Sequence, residues 1–385
     1  MGEVTDKLKT IIDSITEISI FGVGVKWEQR KVTETASSSE VPLLPEQLLT
    51  FIWDYPLGPG NQASWAVREI ALLRGEFNLA REQPSLGIAI ASTEFTSGVF
   101  GETANSRIDI CIQWAMARTD PKPPHYFLVE VTHPPIWHVT KEPDFRHTLA
   151  LAIILARNNR HPKRLEGYVD IVLESQREDG GWAPGGNTEA SEMFTVLYAI
   201  ELLHECANLS DLSDNRRIAC AKARDRALRW LMDNRTSTGL WVGGVLSEYA
   251  WEGLHTTSWV LDRLCRLNDV IVAGWRDCFI DGLSTMIREA SGPSPWRGTD
   301  PHRRNMVEAR VAASVRNARA FWSLRDDPRH LADSYLEGWE RQARGWLSSL
   351  SISEIDLATA VFLLEGLFEH QVLVEHRKEL LKSTQ

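Results

Sequence analysis

The chain is poor in the features that usually announce a chemistry. It has five cysteines in 385 residues, and none of them forms a Cys-x-x-Cys pair. An odd, scattered set of that kind points to reduced and mostly buried thiols, not to a disulfide framework. Positive charge is not in excess: the formal net charge is −10 and the pI is near 5.6, which sets aside a general attraction to nucleic acid. No apolar run approaches the roughly 20 residues needed to cross a bilayer. Residues 1–17 mix charge with apolar positions and lack the unbroken apolar stretch of a signal peptide. A phosphate-cradling glycine loop, a GxSxG elbow and an HExxH helix are all missing. Asp326 and Asp327 run on into Pro328, Arg329 and His330, so they do not form the acidic cluster that holds magnesium on a diphosphate. The expected setting is the cytoplasm, with no membrane span and no nucleic-acid partner.

Tryptophan, by contrast, is abundant, with fifteen in the chain. Gln176, Gly180, Gly181 and Trp182 close one apolar helical pattern and open the next. Trp230 and Leu231, followed by Arg235, Gly239 and Trp241, repeat the layout, and two further corners end in Trp296 and in Gly345-Trp346. From Trp182 the intervals to Trp241, Trp296 and Trp346 are 59, 55 and 50 residues, which suits one helical hairpin per repeat. Such a unit cannot bury its apolar face alone, so neighbours must stack. The glycines permit a tight turn after a helix, the indole packs over it, and Gln176 can bond backbone groups left open at the helix end.

Helical periodicity dominates from about residue 145 onward. Segments 145–157, 188–204, 253–267, 305–324 and 353–369 are rich in alanine and leucine and read as inner helices. Between them, 163–176, 216–234, 276–289 and 330–343 carry charge on one face and read as an outer ring. The expected fold is all-α, a single (α/α) toroid of six to seven helical hairpins with an irregular N-terminal third. Residues 145–385 hold the regular repeats, and 1–144 either continue the same ring as degenerate repeats or form a small cap. Helical patterns recur there at 5–18, 61–79 and 103–118, while 34–44 reads as a loop. The proline-rich stretch 119–144 surrounds a β-prone run at 126–131 and is expected to replace a regular outer helix.

The layout of aromatic-Leu, glutamine and Gly-x-Trp resembles the QW repeat of squalene–hopene cyclases and related terpene cyclases, whose toroid is shared by the β subunits of protein prenyltransferases. Gln176, Gly180 and Trp182 match the second half of that repeat. Trp230, Leu231, Gly239 and Trp241 match its frame, with Arg235 where glutamine belongs. The resemblance to cyclases implies an alkene-protonating acid at the start of an inner helix. Glu354 and Asp356 hold the first two acidic places of that motif and Leu357 fills the third. Ser353 and Asp356 equally fit a capping box, with Glu354 in the first helical turn. The resemblance to prenyltransferases implies a zinc set of Asp109, Cys111 and His147, the last within Asp144-Phe145-Arg146-His147-Thr148, which is similar to the stretch around that family's zinc histidine. Only 36 residues separate Cys111 from His147, less than one repeat.

Other candidates stand on the residues themselves. Arg303, Arg304, Arg310, Arg316 and Arg319 make the 303–319 stretch locally basic, and Arg310 would meet an anionic ligand if it faced the ring interior. His255 and Trp259, on the preceding inner helix, are the expected companion ligand contacts. Glu189, Glu192 and Glu308 near inner-helix starts would serve an inverting glycosidase if two of them were suitably spaced. A scaffold does not fix an activity, and with an incomplete acid motif and no diphosphate cluster the expected role is a non-catalytic module that binds an apolar small molecule or a protein partner, without a cofactor. The alternative is an isoprenoid enzyme: a cyclase using Asp356, or a prenyltransferase with zinc as its cofactor.

Overall fold

A computed structural model of the chain describes residues 112–133 except 114, then 138–184, 190–243, 250–265, 267, 270–292, 301–321 and 326–349, and the helical positions 359, 362, 363 and 366. All of these fall in the compact unit Val41–Gln385. The elements run β1 (Phe127–His133), β2 (His138–Asp144), α1 (Phe145–Arg157), α2 (Pro162–Glu174), α3 (Met193–Asn208), α4 (Asp214–Asp233), α5 (Ala250–Leu264), α6 (Trp275–Ala290), α7 (Pro301–Phe321) and α8 (Asp326–Ser349).

The helices form two layers. α1, α3, α5 and α7 pack in that order against one another, and each also packs on the helix that follows it; α2, α4, α6 and α8 make a second, outer series. Burial follows from sequence. α1 is buried on nearly every face, from Thr148 through Ala156, as expected of a helix that is apolar all round. α4 buries only Cys220, Ala223, Ala227, Leu228 and Leu231, a stripe at helical spacing, and leaves its charged face to solvent. Four inner–outer hairpins are thus described, and the fold is an α/α toroid with a mostly helical chain, as the periodicity requires.

Local chemistry sets the ends of these helices. Asp144 caps α1, its carboxylate accepting the His147 backbone N–H at 2.8 Å. Pro162 opens α2, where its missing N–H costs nothing. Glu192 caps α3 and accepts from the backbone of Phe194 and Thr195 and from the Thr195 hydroxyl. That cap places the start of α3 at Met193, five residues beyond the start that periodicity alone suggests.

The described residues of the proline-rich segment form no outer helix. β1 and β2 make an antiparallel hairpin in which Phe127 pairs with Asp144 and His133 with His138. Its base is tied to α1 by Thr148, whose hydroxyl accepts the Phe127 N–H at 2.9 Å and donates to the Asp144 carbonyl at 2.6 Å. The helical expectations at 5–18 and 61–79, the loop at 34–44 and most of 103–118 lie outside the described residues.

The tryptophan corners repeat in atomic detail. Trp182 Nε1 donates to the Val172 carbonyl at 2.8 Å, and Trp241 Nε1 donates to the Leu231 carbonyl at 2.8 Å, ten residues upstream in both cases. Both indoles are fully buried. Gly180 and Gly239 turn ahead of them with φ of 94° and 86°, in the left-handed region that glycine favours. In the first corner Gln176 Nε2 donates to the Gly180 carbonyl at 2.9 Å and to the Ala223 carbonyl of α4 at 2.9 Å. In the second, Arg235 donates to the Gly239 carbonyl at 2.8 and 2.9 Å, pairs with Asp281 of α6 and stacks 5.2 Å from the Trp241 ring. Arginine therefore does the work of the missing glutamine.

Candidate functional site

Helical geometry sorts the residues of α7 by face. Glu308 accepts from Arg304 at 3.0 Å and from Gln342 of α8 at 3.2 Å, so it faces the outer layer. Arg310, two residues on, lies about 200° further round the helix. Its guanidinium carbon stands 3.6 Å from the ring centroid of Trp259 on α5 and 3.7 Å from that of Phe362. The side chain is only 2% exposed. Two flat π faces close on a flat cation, an arrangement that suits guanidinium better than ammonium.

Trp259 is the hub of this cluster. A second guanidinium, that of Arg263, lies 4.6 Å from its ring and 5.9 Å from the ring of Tyr198. Phe194 meets Trp259 edge-on at 5.8 Å and Tyr198 lies at 6.4 Å. The indole N–H donates to His255 Nε2 at 3.2 Å, which requires a lone pair on Nε2 and puts the neutral ring's proton on Nδ1. Phe194, Tyr198, His255 and Trp259 are each partly exposed, so an apolar, aromatic surface is presented by α3 and α5 together.

Polar contacts knit the same inner helices further along. Arg157 of α1 reaches Glu201 at 3.0 Å and Glu205 at 2.6 Å on α3. Asn317 of α7 donates to Asp262 of α5 at 2.9 Å. Each contact joins one inner helix to the next, which holds the aromatic residues in fixed register.

The three residues expected to contact a ligand, His255, Trp259 and Arg310, are thus brought together. Phe194, Tyr198, Arg263 and Phe362 were not anticipated. A signal for some of them was present, because His255, Trp259 and Arg263 are spaced i, i+4, i+8 and so share one helix face, as do Phe194 and Tyr198. The expected acids Glu354 and Asp356 lie outside the described residues, as do Asp109 and Cys111. His147, the third expected zinc ligand, has its ring Nδ1 2.9 Å from the Asp144 carboxylate and its ring stacked 5.6 Å from Phe127. Among the described residues no cluster of three or more histidines, cysteines or acids could hold a metal ion, and nothing on the described side chains completes a zinc set around His147. Of the glycosidase candidates, Glu189 lies outside the described residues, Glu192 is engaged as the α3 cap, and Glu308 faces α8. Burial raises the Glu308 carboxyl above the usual range, and the Arg304 guanidinium only partly offsets it.

Comparison with solved structures returns the same architecture. The chain superposes on a GH76A alpha-1,6-mannanase from Salegentibacter sp. HEL1_6 with a TM-score of 0.54, covering 86% of this chain and 98% of that one at 11% identity. This protein is an α/α toroid. At that identity the likeness carries the fold alone. No family model matches the sequence. An uncharacterised protein of Bradyrhizobium diazoefficiens and one of Sinorhizobium fredii are each 30% identical over 112 residues, which is 28% of this chain. The matched stretch spans only 20% of the length of either relative. Among the described residues no helix is long and apolar enough to cross a membrane.

Proposed function

We propose that the toroid is a binding module that takes an apolar small molecule against the inner-helix surface formed by Phe194, Tyr198, His255 and Trp259. The observation that carries this reading is the convergence of partly exposed aromatic rings from α3 and α5 on one hub, Trp259. Ligand sites are mostly apolar, with a few placed polar groups that fix orientation. Here His255 Nε2 accepts the Trp259 indole N–H and so orients the ring, and the Arg310 and Arg263 guanidiniums stack on it.

The same cluster weighs against a cyclase reaction at this spot. Aromatic rings stabilise a carbocation only if their faces are free to meet it, and two guanidiniums already stand over Trp259. A cation forming beside them would be repelled. A neutral apolar ligand meets no such penalty, and an anionic group on it would be attracted. The glycosidase reading loses support from the commitments of Glu192 and Glu308 to a helix cap and to the outer layer.

Calorimetric titration with geranylgeraniol, a neutral isoprenoid alcohol, tests the proposal. Saturable binding that is lost in Trp259→Ala, with circular dichroism showing the variant folded at the titration temperature, is the expected result; absence of binding to the wild type overturns it. Mass-spectrometric analysis of products after incubation with geranylgeranyl diphosphate or squalene addresses the alternative. Turnover abolished by Asp356→Asn, or dependent on added zinc and on His147, would make the protein an isoprenoid enzyme instead.

A further inference from the structure

On the outer layer, α4 carries Lys222, Arg226 and Arg229 at i, i+4 and i+7, a stripe along one helix face. With Leu173 of α2 and with Ala219, Ala223 and Asp225 they line a groove of about 580 Å³. The three cations are exposed, while Ala223 is buried and Leu173 and Ala219 are half-buried beneath them. Asp225 pairs with Arg224 at 2.8 Å, and Arg226 reaches only the neutral Gln176 side chain. Arg216 and Arg217, earlier on the same helix, are paired with acids. Among the described residues Lys222, Arg226 and Arg229 have no carboxylate partner. In a chain of net charge −10 such a stripe stands out.

We infer that this groove docks an acidic, partly apolar peptide segment of a partner protein. Lys222 and Arg226 stand about 6 Å apart along the helix axis, close to the roughly 6.6 Å between alternate residues of an extended chain. Acids at alternate positions would meet the cations, and apolar residues between them would cover the Leu173 and Ala219 floor. The surface is concave, which a planar bilayer fits poorly, and three cations neutralise too few phosphates to hold nucleic acid against the overall negative charge.

Fluorescence anisotropy of a labelled peptide of alternating glutamate and leucine, titrated with the full-length protein, tests this. Binding should be saturable, weaken about tenfold in the double variant Lys222→Glu with Arg229→Glu, and fall as salt rises from about 0.05 to about 0.5 M. The neutral pair Lys222→Gln with Arg229→Gln should fall between, and circular dichroism should show both variants folded. Equal binding to the charge-reversed protein, equal binding of a lysine–leucine peptide, or no saturable binding overturns the inference. So does retention on vesicles of equal parts phosphatidylserine and phosphatidylcholine that depends on Lys222 and Arg229 while the peptide is ignored.

Discussion

Gln176 and Arg235, 59 residues apart, hold equivalent corners, each donating to the carbonyl of the glycine that turns ahead of a buried tryptophan. Each also reaches across to the next outer helix, Gln176 to the Ala223 carbonyl and Arg235 to the Asp281 carboxylate. A planar group with several N–H donors at the end of a long side chain is what the position demands, and both residues supply it. Arg235→Gln should therefore be mild, within about 1 kcal/mol. Arg235→Ala should cost about 1–3 kcal/mol because the Gly239 carbonyl loses both its donors. Urea unfolding of the two variants measures the difference.

The two indoles should be interchangeable in their energetics. Trp182→Phe and Trp241→Phe each remove the indole donor from a buried carbonyl, leaving that of Val172 with only the longer 3.4 Å bond from the Ser175 hydroxyl. The loss should be about 1–3 kcal/mol from the missing indole bond, and similar in both corners because the remaining bond to Val172 is long. Thermal unfolding with matched protein concentrations compares them. A large disparity would mean that the repeat is equivalent in geometry but not in load.

Acid should weaken the junction between the hairpin and α1. Burial pushes the Asp144 carboxyl up, but its bonds to the His147 side chain and backbone, with the Arg146 charge nearby, bring it below the usual aspartate value. The folded pKa is thus depressed. Its contribution is present above the unfolded value of about 3.9 and is lost as pH falls through the folded one. Asp144→Asn should flatten the stability curve below about pH 4 while keeping most of the cap, as followed by denaturant unfolding at several pH values.

The buried cysteines should be chemically silent in the native state. Burial pushes the Cys206 thiol well up and the Cys220 thiol to about 11, and Cys265 is fully enclosed as well. A thiol reacts as its thiolate, so iodoacetamide at neutral pH should leave these three unlabelled until the chain unfolds. Peptide mass spectrometry of native and denatured samples checks each site.

Much of this architecture was legible because its signals are local. The α1 boundaries coincide with the apolar segment 145–157, since Asp144 caps one end and Asn158 leaves the helix at the other. The alternation of fully apolar and one-faced helices foretold the two layers. Periodicity alone starts α3 at residue 188, ahead of the actual Met193, because the cap at Glu192 is a matter of side-chain chemistry that spacing does not carry. Arg235 looked like a departure from the repeat, and only its partners on α6 reveal that it restores the corner. The aromatic hub was half visible: His255, Trp259 and Arg310 could be singled out, but Phe362 is 52 residues from Arg310, and no local pattern joins them.

Photolabelling tests the central claim most directly. An apolar isoprenoid alcohol carrying a benzophenone, irradiated with the full-length protein and followed by peptide mapping, should place its adducts on the inner surface at Phe194, Tyr198, His255 or Trp259, and excess geranylgeraniol should suppress them. Adducts confined to the outer helices α2, α4, α6 and α8, or labelling that the competitor does not reduce, would contradict a ligand site inside the ring.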